Sequence, residues 1–235
     1  MPNGAAGALS GGARRTWARA RARWWRVWWP MRSQVGAVAK RTVDIVGVMA
    51  LGLLLAPLLV VTAALIKAYD GGPVLFWQTR IGRWGRSFAF PKFRSMVLDA
   101  EQRKDELLAQ NDHGSGVVTF KMKSDPRITP VGRWIRRLSI DELPQLWCVL
   151  RGQMTLVGPR PPVPREVEQY TPADRRRLDV TPGLTCLWQV SGRGDIPFPE
   201  QVKLDVEYIE RHTLRFDVRL LLRTIPAVLF GRGAY

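Results

Sequence analysis

The chain has 235 residues, with 36 Lys and Arg against 20 Asp and Glu, so its formal net charge is +16 at neutral pH. Two cysteines and two histidines exclude a disulfide-stapled scaffold, a cysteine-rich zinc site and most histidine metal sites. An apolar fraction of 46% excludes a disordered basic tail. The positive charge favours a polyanionic partner: nucleic acid, anionic lipid or a phosphorylated substrate. No cleavable signal-peptide pattern is recognised at the start, so we expect a chain that faces the cytoplasm.

The first predicted element is a basic, tryptophan-rich helix. Residues 1–41 contain nine Lys or Arg, no acid, and five of the ten Trp. In a helix over residues 14–29 all five Trp fall within an arc of about 140°, and four Arg lie on the opposite face. This pattern predicts a helix that lies in a membrane interface. The alternative is an arm that binds nucleic acid.

An uncharged apolar run follows at residues 45–66 and is long enough to reach across a bilayer. Basic residues flank it on both sides, and the positive-inside rule places both flanks in the cytoplasm. Pro57 lies near the middle of the run, where it removes a backbone hydrogen bond. We therefore predict a re-entrant hairpin broken at Ala56–Pro57, which enters and leaves by one face. A proline-kinked span is the alternative.

The rest of the chain predicts a small mixed domain. Short strands are expected at 74–78, 87–90 and 117–121, and helices at 97–110, from Ser139, from Pro199 to about His212, and at 216–230. Ser139 with Glu142 fits a helix capping box. The predicted fold class is α+β and predominantly helical: a monotopic membrane protein with a re-entrant helix, interfacial amphipathic helices and a small cytoplasmic globular domain. Its predicted segments are a basic, tryptophan-rich extension (1–39), the re-entrant membrane helix (40–69) and the cytoplasmic domain (70–235).

Arginines and lysines lie beside acids throughout the predicted domain. Arginine forks match phosphate oxygens, and carboxylates hold Mg²⁺ together with substrate phosphates. The Walker loop, the HEXXH zinc motif and the GXSXG nucleophile motif are all missing. Phosphoryl chemistry next to a membrane is the resulting hypothesis.

Nine motifs occur in order along residues 40–193: KRTVD (40–44), GGPV (71–74), QTRIG (78–82), KFRSM (92–96), DPRIT (125–129), SIDELPQLW (139–147), VGPRP (157–161), PGLT (182–185) and LWQVSGR (187–193). Together they resemble the bacterial sugar transferases, or monotopic phosphoglycosyl transferases, over roughly residues 40–235. The last five residues are similar to the branch that contains undecaprenyl-phosphate galactose and glucose phosphotransferases.

The resemblance implies an enzyme that transfers a hexose 1-phosphate from a UDP-sugar to polyprenyl phosphate and releases UMP. It implies Mg²⁺, a covalent aspartyl-phosphosugar intermediate and a role in starting exopolysaccharide, O-antigen or capsule assembly. The implied location is the cytoplasmic face of the bacterial inner membrane. The expected partners are the UDP-sugar, polyprenyl phosphate and membrane lipid, without nucleic acid, and a homo-oligomer is a further candidate.

The resemblance also suggests catalytic residues. Family members carry adjacent catalytic Asp and Glu shortly after the KFRSM-like motif, whereas this chain has Asp99-Ala100-Glu101. We predict Asp99 as nucleophile and Glu101 as its helper, both as metal ligands, with Asp105 in reserve. Solvent-exposed charges on a helix are the alternative for each.

The predicted substrate-binding residues come from several motifs: Lys92, Arg94, Arg127, Asp141, Pro159, Arg160, Pro161 and Arg193. A rigid loop that presents one arginine between two prolines suits a phosphate or uridine site, which favours Arg160. Arg127 either contacts a phosphate or pairs with Asp125. For Asp141 a structural role is equally open, and Glu142 is read as a helix cap.

Two rival readings remain. One is a membrane-anchored basic binding module without catalysis, and the other is a family member that has lost activity. Paired acids within a basic cleft favour the enzyme, because acids repel the phosphates that a pure binding module needs.

Overall fold

The computed structural model describes the backbone of residues 11–107, 125–192 and 195–229, and the side chains of 36–103, 125–192 and 195–228. The chain divides into two compact units, residues 1–42 and residues 43–235. Helix α1 (Gly11–Asp70) starts in the first unit and contains the helix predicted at 14–29. The side chains of that stretch lie outside the described residues.

The apolar run lies within α1. By length and composition, Gly36–Asp70 is able to cross a membrane, with a mean hydropathy of 2.6. The helix assignment continues through Pro57, so a break at Ala56–Pro57 is not confirmed and the re-entrant hairpin stays a prediction.

Both ends of the apolar run pack against the same globular unit. At the start, the Asp44 carboxylate accepts hydrogen bonds from the Thr155 hydroxyl at 2.6 Å and from the Leu156 amide at 3.0 Å. At the end, Ile66 is buried in an apolar cluster that also contains Phe93. Between them much of the surface is exposed: Leu53, Leu54 and Val60 are 82%, 74% and 68% accessible, although Val48 and Thr62 are buried. Several large apolar side chains exposed to this extent indicate an apolar surrounding rather than water.

An antiparallel hairpin follows α1 and positions the first site residues. Strands β1 (Leu75–Ile81) and β2 (Ser87–Phe93) pair from Leu75↔Phe93 to Ile81↔Ser87, as the sequence predicted for this region. A short 3₁₀ turn at Arg83–Gly85 joins them. The remaining elements are α2 (Ala100–Leu107), α3 (Pro130–Arg137), α4 (Leu146–Leu150), β3 (Thr155–Val157), α5 (Pro164–Glu168), β4 (Gly183–Thr185), α6 (Leu187–Ser191), α7 (Phe198–Arg211) and α8 (Leu214–Leu229).

The predicted helix start at Ser139 is wrong. Ser139 adopts a left-handed conformation (φ 54°) and its side chain makes no capping hydrogen bond. A 3₁₀ segment, Ile140–Gln145, precedes α4 instead. Glu142 therefore does not complete a capping box, and its side chain is free for another role. The strand predicted at 117–121 lies outside the described residues.

Strands β3 and β4 form a short parallel pair that fixes the loop after β3. A Cβ on Gly183 would lie 2.0 Å from the Gly158 amide nitrogen, so only glycine permits this approach. The Gly183 amide donates to the Pro159 carbonyl at 2.8 Å. From the other side, Tyr208 donates to the Val157 carbonyl at 2.8 Å. The loop that follows β3 is thereby held on both sides.

A buried ion pair ties α7 to the 3₁₀ segment Asp174–Asp179. Arg177 donates to the Asp205 carboxylate at 2.7 Å and to the Tyr170 hydroxyl at 2.9 Å. Burial raises the pKa of Asp205 to about 6, although Arg177 opposes this shift. The charge of Asp205 therefore depends on Arg177.

Replacing Arg177 with methionine is expected to lower the free energy of unfolding by about 3 kcal/mol at pH 7, because it leaves a buried carboxylate unpaired. The loss should shrink towards pH 5, because Asp205 is then protonated in the wild type as well as in the variant and the ion pair no longer contributes. Urea unfolding in detergent micelles measures both values. The matched control is Arg176→Met, which breaks the exposed 3.0 Å pair with Glu210 and should cost less than about 0.5 kcal/mol. Equal losses in the two variants would contradict the account.

Candidate active site

Three separate segments bring charged side chains together in one half-buried cluster. Lys92 comes from β2, Asp141 and Glu142 from the 3₁₀ segment, and Arg160 from the loop after β3. The side chains of Lys92, Glu142 and Arg160 are 19%, 17% and 21% exposed, so the cluster is screened from water yet open on one side. We call these four residues the charged cluster.

Glu142 is the hub of the charged cluster. Arg160 reaches both of its carboxylate oxygens: Nη1 lies 3.1 Å from Oε2, and Nη2 makes a shorter contact with Oε1. Lys92 Nζ lies 3.5 Å from Oε1. Burial alone would raise the pKa of Glu142, but Arg160 and Lys92 outweigh it and hold that pKa well below its usual range. Glu142 is therefore ionised at neutral pH.

Asp141 differs from its neighbour. It is buried (8% exposed), and none of the groups in the described part of the chain donates a hydrogen bond to its carboxylate. Burial, and then the adjacent Glu142 charge, raise the pKa of Asp141 to about 6. A carboxylate that is ionised at pH 7 but poorly solvated and without a hydrogen-bond donor is a good nucleophile.

Two cations near the carboxylates have a lowered pKa. Burial and the nearby Arg160 charge lower the pKa of Lys92 to about 8, although Glu142 opposes them. Burial also lowers the pKa of Arg80 to about 10. Arg80 donates from Nη1 to the Pro161 carbonyl at 2.9 Å, and its buried Nε has no partner among the described residues. Together with Arg160, these two cations outnumber the two carboxylates of the charged cluster.

The loop after β3, for which the sequence predicts rigidity, is held by several contacts. Pro159 and Pro161 are both less than 2% exposed, on either side of Arg160. Backbone bonds to Gly183 and Ile81 and the Arg80 contact hold it. The two prolines bring no polar side chain, so their contribution is to fix the direction of the Arg160 guanidinium.

Asp99 and Glu101 lie elsewhere. Asp99 precedes α2, is 44% exposed and pairs with Arg103 at 2.6 Å. Glu101 is exposed, and its charge contributes to raising the pKa of Arg127. Within the described side chains no contact joins either acid to the charged cluster. The side chain of Asp105 lies outside the described residues.

Arg94 and Arg127 already have anionic partners. Arg94 makes a two-pronged ion pair with Asp70 and donates to the Pro73 carbonyl at 2.6 Å. Arg127 pairs with Asp125, with Nη2 2.6 Å from Oδ2, which is one of its two predicted roles. A role of either arginine in phosphate binding stays a prediction. Arg193 lies outside the described residues.

Glu142 is a candidate functional residue that the sequence analysis read as a helix cap. The S-x-x-E spacing suggested a cap, while the alternative signal was an adjacent acid pair inside the longest motif, SIDELPQLW. Its partners Arg160 and Lys92 are 18 and 50 residues away, so only the fold reveals the ion pairs.

The charged cluster also offers the better fit to Mg²⁺. Among the described residues no group of three or more His, Cys, Asp or Glu is placed to hold a metal by itself. Mg²⁺ commonly binds through one or two carboxylates plus substrate phosphates. The Asp141 carboxylate, which accepts no hydrogen bond from the described residues, lies beside Glu142 and meets that requirement, whereas the exposed Asp99 is paired with Arg103.

Comparisons with known proteins agree on one family. The model of the family described as bacterial sugar transferase matches residues 35–231. The galactosyl transferase CpsE of Streptococcus agalactiae is 48% identical over 198 residues, 84% of this chain and 43% of CpsE. The exopolysaccharide production protein ExoY of Rhizobium meliloti is 41% identical over 86% of this chain and 90% of ExoY.

The name of a third relative states the reaction of that protein. The undecaprenyl-phosphate galactose phosphotransferase of Salmonella typhimurium is 43% identical over 83% of this chain and 41% of that protein. The chain thus spans less than half the length of two of these relatives and most of the length of ExoY.

Proposed function

The chain belongs to the bacterial sugar transferase family, and on that premise we propose that it is a sugar-phosphate transferase. It moves a hexose 1-phosphate from a UDP-sugar to undecaprenyl or a similar polyprenyl phosphate and releases UMP, a step that starts exopolysaccharide assembly. The observation that carries this proposal is the charged cluster, in which a buried carboxylate without a hydrogen bond from the described part of the chain lies beside an arginine-bound one. UDP-galactose and UDP-glucose are the candidate donors.

The reaction proceeds in two displacements at one phosphorus atom. An Asp141 oxygen attacks the phosphorus that carries the sugar, the bond from that phosphorus to the bridging oxygen breaks, and UMP leaves with the bond's electron pair. A polyprenyl phosphate oxygen then attacks the same phosphorus and releases the Asp141 carboxylate. Two easier steps replace one difficult transfer between two anions.

The cations of the site hold the donor. Arg160 presents a planar fork that matches two phosphate oxygens, and Lys92 and Arg80 add charge within the same half-buried region. Glu142 keeps Arg160 in place until substrate arrives. Mg²⁺, held by Asp141 or Glu142 oxygens with the diphosphate, would neutralise charge on the phosphates so that a carboxylate is able to approach.

This assignment moves the nucleophile from Asp99 to Asp141. Asp99 is 44% exposed and paired with Arg103, an environment that leaves a carboxylate well solvated. Catalysis at Asp99 and Glu101 stays a prediction, and a comparison of single variants, described below, separates the two sites.

We place the protein on the cytoplasmic face of the inner membrane, with the apolar run of α1 in the lipid. The contacts of Asp44 and Ile66 support a run that enters and leaves by one face, because both ends meet the same globular unit. A re-entrant helix of this kind keeps the basic residues after the run in the cytoplasm.

The direct test is UMP release by the purified protein in nanodiscs with Mg²⁺ and polyprenyl phosphate. UDP-galactose, UDP-glucose and UDP-N-acetylglucosamine are compared. Release with one hexose donor, together with formation of a polyprenyl-diphospho-sugar, is the expected result. No release with any donor, together with salt-sensitive binding of generic DNA, would favour a non-catalytic basic binding module instead.

The pH dependence of the reaction follows from two members of the charged cluster. Below about pH 6 Asp141 takes up a proton and loses its nucleophilicity, and above about pH 8 Lys92 loses its charge. We expect a bell-shaped profile of kcat/KM with limbs near these values. In Lys92→Arg the guanidinium stays charged, so the alkaline limb should move upwards while the acid limb stays. A variant with both limbs unchanged would exclude Lys92 as the titrating group.

A further inference from the structure

The 3₁₀ segment Ile140–Gln145 ends on a buried side-chain amide. Gln145 is 1% exposed, and its Nε2 has no hydrogen-bond partner among the described residues. A buried N–H group without an acceptor destabilises the folded state, because the group has lost its water and gained nothing in return. The amide is therefore a candidate donor to a bound ligand.

The geometry of the 3₁₀ segment places this amide beside Glu142. A 3₁₀ helix has three residues per turn, so residues three apart lie in one row along its surface. Ile140 and Leu143 form one such row, and both pack in the same apolar cluster, as this register requires. Glu142 and Gln145 form another row and are separated by about 6 Å along the helix axis. Gln145 therefore lies one turn from the hub of the charged cluster.

The chain on either side of Gln145 fixes its position over strand β2. One turn before it, Glu142 lies 3.5 Å from Lys92 Nζ of β2. Three residues after it, the Cys148 thiol donates to the Ala89 carbonyl of β2 at 3.6 Å. Gln145 thus lies over β2 between the levels of these two contacts.

A second unsatisfied donor lies over the same part of β2. Arg80 pairs directly with Phe88 across the hairpin, so their side chains share one face of it with Phe90. The Arg80 guanidinium carbon lies 5.2 Å from the centroid of the Phe90 ring, and the buried Nε lacks a partner in the described part of the chain. Lys92 Nζ lies 5.5 Å from the same centroid. An amide and a guanidinium with unsatisfied donors are therefore found on the Phe90 side of the charged cluster.

The chemistry of these groups indicates what satisfies them. Both unsatisfied nitrogens are donors, and the cations of the region outnumber its carboxylates, so the missing group must bring acceptor atoms and negative charge. Phosphate oxygens have both properties. A neutral amide is suited to this task beside Asp141, since it stabilises a phosphate oxygen without adding a positive charge that would pair with the nucleophile.

We propose that Gln145 is a further catalytic residue, which donates from Nε2 to a phosphate oxygen of the bound UDP-sugar, with Arg80 Nε donating to the same phosphate. This inference rests on the proposed function and names an additional residue of that site. Negative charge grows on the phosphate that leaves with UMP as Asp141 attacks. The hydrogen bond from Gln145 is therefore stronger in the transition state than in the ground state, and its loss acts on kcat more than on KM.

The test compares Gln145→Met with wild type in the nanodisc assay of UMP release. Methionine keeps the approximate volume and removes the donor, so kcat should fall about 10²-fold, while KM for the UDP-sugar should change less than about threefold. The melting temperature should equal or exceed that of wild type, because an unsatisfied buried donor has been removed. The matched control is Gln169→Met, the same change at an exposed glutamine, which should stay within about twofold of wild type.

A double variant tests whether the two donors share one phosphate. Arg80→Lys keeps the charge and removes the Nε donor. If both side chains bind the same group, Gln145→Met should reduce kcat less in the Arg80→Lys background than in wild type. Equal reductions in the two backgrounds would overturn the shared phosphate.

Two outcomes would overturn the role of Gln145. Wild-type kcat in Gln145→Met removes it from the site and leaves the proposed function intact. A lowered melting temperature with a matching loss of folded protein, and normal kcat per folded molecule, shows that the amide is only structural. Absence of UMP release by the wild type with every donor overturns the proposed function, and this inference with it.

Discussion

Asparagine in place of Asp141 is expected to reduce UMP release by about 10⁴-fold, because the amide oxygen is a poor nucleophile and no covalent intermediate forms. The matched control is Asp99→Asn, the same chemical change at a 44% exposed acid, which should stay within about threefold of wild type. Both are measured as initial rates with saturating UDP-sugar and polyprenyl phosphate.

Loss of folding does not explain that expected loss. Burial raises the pKa of Asp141 to about 6, so its ionisation costs stability that develops as the pH rises from the ordinary pKa of a carboxyl towards 6 and is fully present above pH 6. Asparagine removes that charge, and the melting temperature of Asp141→Asn should equal or exceed that of wild type at pH 7.5. The reverse pattern, with Asp99→Asn inactive and Asp141→Asn active, would return the nucleophile to the segment before α2.

The second large effect is expected at Arg160. Alanine at this position removes the fork that binds both Glu142 oxygens and, in the proposed reaction, the donor phosphates. We expect about 10²–10³-fold lower kcat/KM. The free energy of unfolding should fall by about 2 kcal/mol, since a half-buried carboxylate loses its partner while some solvent screens it.

One further variant separates charge from geometry at Arg160, and a second, at Arg165, serves as a control. Arg160→Lys keeps the charge without the planar fork and should recover stability more than activity. Arg165→Ala removes an exposed arginine five residues further on and should change neither quantity measurably. Wild-type activity in Arg160→Ala would exclude this arginine from the donor site.

The sequence predicts local structure well where side-chain pattern and turn residues agree. The β1–β2 hairpin follows from two apolar strands around a glycine-containing turn, and the rigid loop from the prolines on either side of Arg160. Helix α8 was expected from residue 216 and begins at Leu214.

Pairing between distant charges is what the sequence does not predict. Glu142 fits a cap by spacing, yet its side chain binds Arg160, because the backbone at Ser139 turns left-handed and directs the chain elsewhere. Arg94 fits a phosphate site by its motif, yet Asp70, 24 residues earlier, takes its guanidinium. Such partners are set by tertiary packing, which the spacing of residues along a single sequence does not predict.

The most direct test of the central claim is to trap the covalent intermediate. The protein is incubated with UDP-galactose, UDP-glucose and Mg²⁺ without polyprenyl phosphate, quenched at low pH, digested and analysed by mass spectrometry. The account predicts a hexose-phosphate adduct on the peptide that contains Asp141, lost in Asp141→Asn and discharged when polyprenyl phosphate is added. An adduct on the peptide that contains Asp99, or UMP release with no adduct under any quench, would contradict it.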